Sequence, residues 1–196
     1  GLVDEQKVVG VSALVYERGK EVYFGAFGLA DREGNKPMAR DTVVQIFSMT
    51  KPVTGVGLMR LYERGKFRLE DPLEMHAPEF ANVKVFAGLD ESGQPIYEAP
   101  KRKITIYDIL RHTAGFTTGG DDGPTGAIYR QIDPRAFTNT LPQFMQKLGQ
   151  VPLLYHPGTR WLYSDVVDVQ AYLVEKLSGV PFDKYLELHI FRPLGM

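Results

Sequence analysis

The chain has 196 residues, a net charge of −1 and no cysteine. That length suffices for one domain with a sizeable core. The charge gives no reason to expect nucleic acid or an anionic membrane as partner, and the missing thiols exclude disulfides and thiolate chemistry. Hydrophobic residues make up 43% and charged residues 24%, the balance of a soluble globular protein. Four histidines, His76, His112, His156 and His189, lie far apart with no ligand-like spacing, so no metal or other cofactor is expected. No run of about 18 apolar residues is present, so no membrane span is expected. The opening GLVDEQKVVG has neither a basic segment nor a long apolar one of the signal-peptide kind. Periplasmic, secreted and cytoplasmic locations all stay open.

VVGVSALVY (8–16) and EVYFGAFG (21–28) read as two strands joined at ERGK, where Gly19 suits a tight turn. The first is apolar at most positions, which predicts burial on both faces. ADREGNKPMARDT (30–42) reads as a polar loop. A helix is predicted from about Ser48 to Arg64, with Met49, Val53, Val56 and Met59 as its stripe and Leu58, Leu61 and Tyr62 widening it. Pro52 is tolerated only near a helix start, and Gly65 is a plausible stop.

Residues 82–100 read as a hairpin turning at DESGQ. Thr105 and Asp108 have the spacing of a capping box for a short helix that ends at Gly115. Residues 115–140 are rich in Gly, Asp, Pro and Thr and read as a long functional or mobile loop. LPQFMQKLG is a short helix. Residues 164–179 form a clear amphipathic one, with Val166, Val169, Leu173 and Leu177 on one face, Ser164 or Asp165 as cap and Gly179 as stop. A last helix starts at Pro181. One hairpin is too small a sheet to cover about five helices, so the sheet is expected to be incomplete in this chain.

The chemistry is concentrated in QIFSMTKPVTG (45–55). Residues i and i+3 share a helix face, so the Ser48 hydroxyl and the Lys51 amine can meet. A serine is a poor nucleophile until a base takes its proton, and a lysine whose burial favours the neutral amine can be that base. This is the one S-x-x-K among five serines, and it opens the most apolar helix. The plain alternative is a serine helix cap followed by a solvated lysine. Farther on, PGTRWLYSDVVD places Trp161 and Tyr163 at a helix entrance. A phenol there can shuttle a proton, or both rings can simply pack under the loop. Other polar residues read plainly. His112 bonds locally, His156 is a loop residue, Asp121-Asp122 is solvated, and Lys101-Arg102-Lys103 is a solvated strand edge.

FSMTKPVTGVGLMRLYERGKFRLEDPL, KITIYDILRHTAGF, PGTRWLYSD and SGVPFDKYLELHIFRPLGM, in this order, resemble the serine β-lactamase and penicillin-binding-protein superfamily. Within it they are similar to the class C β-lactamase-like branch, and most of all to its family VIII carboxylesterases. The resemblance implies an α/β (α+β) fold with a helical lobe and an antiparallel sheet flanked by helices. It implies Ser48 as acylated nucleophile, Lys51 as its base and Tyr163 as proton relay, with the Ser48 backbone N–H as half of the oxyanion hole. Trp161 and Asp165 are then substrate-binding candidates in a serine hydrolase acting on a small ester or a lactam. A carboxylesterase is the first expectation; a β-lactamase or D-Ala-D-Ala carboxypeptidase, an acyltransferase and a non-catalytic binding domain on the same scaffold are the alternatives.

Two departures refine this. The branch's lactamases carry Y-x-N, whereas here the third residue is Asp165, whose ionised carboxylate would repel a β-lactam carboxylate and favour neutral esters; alternatively, Asp165 only caps the helix and takes no part in binding. The family's downstream K-T-G or H-x-G triplet is not found. Residues 1–196 are therefore expected to form part of a domain whose C-terminal strands, and second oxyanion donor, lie beyond residue 196.

Overall fold

The computed structural model describes residues 1–120 and 123–196, which form two compact units, Gly1–Phe47 and Ser48–Met196. In the first, β1 (Gly10–Glu17) pairs antiparallel with β2 (Lys20–Asp31), and β2 with the two-residue β3 (Lys36–Pro37). Arg18 and Gly19 join β1 to β2 with φ of 50° and 76°. Positive φ at both central positions is what a two-residue hairpin turn of matching twist needs, and glycine adopts it freely. Arg40, just past β3, makes two hydrogen bonds to Glu21, at 2.8 and 2.7 Å, and its guanidinium lies over the Phe24 ring.

Two expectations change here. Residues 30–42 are not all loop, because Lys36–Pro37 returns to pair with Leu29 and Asp31. The apolar β1 is not buried on both faces: all of it beyond Gly10 is exposed, Leu14 by 52%. Among the described residues its only strand neighbour is β2, and residues 1–46 form no helix to cover either face.

In the second unit a 3₁₀ turn at Phe47–Met49 runs into α1 (Thr50–Glu63). Next come α2 (Leu73–His76), a hairpin of β4 (Val85–Leu89) and β5 (Pro95–Glu98), α3 (Ile106–Arg111) and α4 (Gly123–Ile132). Then follow α5 (Leu141–Leu148), α6 (Val166–Ser178) and α7 (Phe182–Leu186). A π segment (Glu187–Phe191) leads from α7 into α8 (Arg192–Leu194). The hairpin, α5 and α6 match their sequence signals. The supposed loop 115–140 contains α4, whose Thr125 and Tyr129 are buried despite the glycine-rich composition.

The centre of this unit is α6, which packs on α1, α2, α3, α5 and α7. Its predicted face holds: Val166, Val169 and Leu173 are fully buried, with Leu177 packed at the margin. Truncating Leu173 to alanine would cost about 2–5 kcal/mol, as large-to-small core changes do. The face of α1 differs from the expected stripe. Thr54, Gly57, Leu58 and Leu61 are buried, whereas Met49 and Val56 are 70% and 52% exposed. A helix apolar around most of its girth has no unique stripe, and close approach decides between faces. A Cβ at Gly57 would lie 2.9 Å from Leu186 Cδ2, so glycine here lets α1 approach α7 without displacing the end of that leucine side chain.

Candidate active site

The packing of α1 on α6 sets the start of one helix beside the entrance of the other. Ser48 lies in the 3₁₀ turn, Lys51 one turn on in α1, and Tyr163 three residues before α6. Lys51 Nζ donates to Ser48 Oγ at 3.0 Å, and Ser48 Oγ and the Tyr163 hydroxyl share a hydrogen bond of 2.6 Å. The Lys51 ammonium also stands 4.5 Å from the centre of the Tyr163 ring. The three side chains thus form one hydrogen-bonded group. Its interactions with Lys51 first, and with the Ser48 hydroxyl second, hold the Tyr163 phenol below its ordinary pKa. Lys51 is half-buried, less enclosed than the apolar run suggested, because that face of α1 opens to solvent. Phe47, directly before the nucleophile candidate, has φ of 46° in the left-handed region, where a non-glycine residue is strained.

The Tyr163 ring lies flat against the imidazole of His112, with centroids 5.0 Å apart and planes 7° from parallel. Trp161, 65% exposed, adds a third ring, 6.0 Å from His112 and 6.4 Å from Tyr163. His112 ends α3 three residues earlier than the expected Gly115, and its bond is not local: the Ser164 N–H donates to His112 Nδ1 at 3.1 Å across 52 residues. Burial first, and the Lys51 charge second, push the His112 pKa down. The capping box of α3 forms as predicted between Thr105 and Asp108.

Asp165 is placed differently from the substrate-facing carboxylate that the family resemblance implies. It is 1% exposed, and its oxygens accept from Tyr129 Oη at 2.5 Å and from Arg135. It occupies the N-cap position of α6, yet its side chain makes no cap bond. In an extended approach to a helix, neighbours two apart need not share a face once the helix begins at the second of them. Burial first, then the hydrogen bond to Asp165, raises the Tyr129 pKa. Tyr129 and Arg135 carry no sequence signal for this role, since they lie in the stretch that reads as loop.

The basic run is also more than a solvated edge. Arg102 makes a two-pronged pair with Asp108, at 2.6 and 2.8 Å, and Lys103 pairs with Glu74. His156 is a loop residue whose Nε2 lies 2.9 Å from Glu98. Asp121 and Asp122 lie outside the described residues. Among the described residues, no group of three or more His, Asp or Glu could hold a metal ion, and no helix is long and apolar enough to cross a membrane.

The family model described as Beta-lactamase matches residues 1–196. The chain belongs to the beta-lactamase family. Among curated members it is 33% identical to the esterase EstB of Burkholderia gladioli, over 98% of this chain and 47% of that protein. It is 30% identical to the acyltransferase mokF of Monascus pilosus, over 88% of this chain and 42% of that one. Among solved structures, EstCE1, described as a hydrolase with promiscuous acyltransferase activity, superposes with a TM-score of 0.84 at 30% identity. That match covers 100% of this chain and 49% of the other. The fold is therefore the beta-lactamase-like one of helices and small antiparallel sheets, and the chain spans about half the length of the curated relatives it matches.

Proposed function

We propose that the protein is a serine hydrolase that forms an acyl-enzyme at Ser48 and acts as a carboxylesterase on small ester substrates. The observation that carries this is the continuous hydrogen-bonded group of Lys51, Ser48 and Tyr163. Ser48 Oγ attacks the ester carbonyl as its proton passes to the Tyr163–Lys51 pair. The negative carbonyl oxygen forms near the N-terminal end of α1, where the Ser48 N–H and the helix dipole favour it. The C–O bond to the alcohol breaks, and the alcohol departs with the returned proton. Water, deprotonated by the same pair, then hydrolyses the acyl-Ser48 ester, releasing the acid and restoring the hydroxyl. The exposed indole of Trp161 offers an apolar wall for the substrate.

Transfer of the acyl group to an alcohol in place of water is a second reading, favoured by the names of the acyltransferase relative and of EstCE1. Lactam hydrolysis uses the same three side chains. With the Asp165 carboxylate occupied by Tyr129 and Arg135, electrostatic repulsion of a lactam carboxylate no longer argues against it. The ester reading rests instead on the esterase relative. We infer also that residues beyond 196 complete the sheet and the second oxyanion donor, which the greater length of the relatives supports. In the full-length protein, Ser48→Ala should lower kcat for p-nitrophenyl butyrate on the order of a thousandfold or more. Unchanged turnover would contradict the reading, and nitrocefin turnover equal to that of the ester would move it to a lactamase.

A further inference from the structure

We infer that His112 is a positioning residue for Tyr163: its ring and its backbone together fix where the phenol hydroxyl points. This rests on the function proposed above and adds a residue to it.

His112 holds the segment 162–164 on three sides. Its carbonyl accepts from the Leu162 N–H at 2.9 Å, and its Nδ1 accepts from the Ser164 N–H at 3.1 Å. Its ring covers the face of the residue between them, within 7° of parallel. Two backbone bonds flanking one residue, with a flat ring against that residue's side chain, leave Tyr163 little freedom in χ1 or χ2. The 2.6 Å contact to Ser48 depends on both angles.

The clamp is itself braced. His112 sits at φ 59°, ψ 35°, its N–H bonded to the Asp108 carbonyl. The Asp108 side chain bonds the Thr105 N–H at the start of α3, the Thr113 hydroxyl at its end, and Arg102. Both ends of the helix that presents the imidazole are thus tied to one buried carboxylate. A left-handed residue at a helix end is normally glycine or asparagine, and any other residue there is strained. Histidine at this point is explained by what its ring contacts. An acceptor at Nδ1 requires the neutral imidazole with its proton on Nε2. The lowered pKa of His112, from burial and then from the Lys51 charge, agrees with that form.

The test uses the full-length protein and its variants at Ser48, His112 and Tyr163, single and combined, with kcat and KM for p-nitrophenyl butyrate and thermal melting for each. Ser48→Ala checks the functional reading separately; if it leaves turnover intact, that reading fails, whatever His112 does. His112→Asn suits the left-handed backbone and keeps an acceptor but removes the ring. It should lower kcat at least tenfold and up to about a hundredfold, the range for a misplaced reacting group, with KM within about threefold. In a Tyr163→Phe background the same change should cost nothing further, because the hydroxyl it positions is gone. Wild-type kcat in His112→Asn, or a loss that adds in full to that of Tyr163→Phe, would overturn the proposal. Should His112→Asn melt early, His112→Phe keeps a flat ring and loses only the acceptor. The same non-additivity with Tyr163→Phe is then the supporting result, and additivity the opposing one.

Discussion

Tyr163 and Asp165 are two residues apart and live in opposite surroundings. The phenol of Tyr163 is 42% exposed, touches Ser48 and Lys51, and is held below its usual pKa. The carboxylate of Asp165 is buried and bonded to Tyr129 and Arg135. The first belongs to the group proposed above as reactive, and the second ties the start of α6 to the segment 129–135. On the proposed reading, reactivity goes with exposure and mutual contact, and the buried ion pair is structural. Changes on the two sides should therefore separate activity from stability.

The largest effect is expected on the reactive side. Tyr163→Phe removes the proposed proton relay and should reduce kcat about 10²- to 10⁴-fold, the usual weight of general acid–base help. The ring stays on His112, so the melting temperature should stay within about 1 °C. A drop of several degrees would show that the hydroxyl is structural after all. On the supporting side, Arg135→Ala leaves the Asp165 carboxylate buried with Tyr129 as its remaining side-chain donor. The cost should be about 3 kcal/mol, the lower end for breaking a buried pair because Arg135 itself is half exposed. Denaturant melts measure it, and loss of activity without loss of stability would place Asp165 back at the substrate.

The smallest expected effect has the opposite sign. Burial first, then the neighbouring charge of Asp165, raises the pKa of Asp168. An acid whose folded pKa lies above its unfolded value of 3.8 binds protons better in the folded state. Its contribution is full below that value and is lost as pH rises through the folded pKa. At neutral pH the ionised side chain therefore costs stability, and Asp168→Asn should raise the melting temperature by about 2 °C. The gain should vanish toward pH 3; a gain that persists there would mean that charge is not its cause.

Sequence legibility followed the range of the interaction. Ser48 and Lys51 stand out because three residues bring them together within one helix, and the Thr105–Asp108 box and the face of α6 are local in the same way. Tyr163 meets Ser48 across 115 residues, and only the family resemblance joins them. The partners of His112 and Asp165 are not legible in the sequence for one reason. Where a side chain at a helix boundary points is decided by the elements packed around it, here the segment 162–164 and the stretch 129–135. The face of α1 was decided likewise, by the helices packed on it, chiefly α6. The exposure of β1 was hidden by its composition, which records an apolar strand whether or not its cover lies within residues 1–196.

The central claim is that Ser48 is an activated nucleophile, and covalent labelling of the full-length protein by a fluorophosphonate tests it most directly. Intact mass and peptide mapping should show one phosphonyl group, on Ser48, forming much more slowly in Tyr163→Phe. An unlabelled Ser48, or a label on another serine that Ser48→Ala leaves in place, would contradict the account.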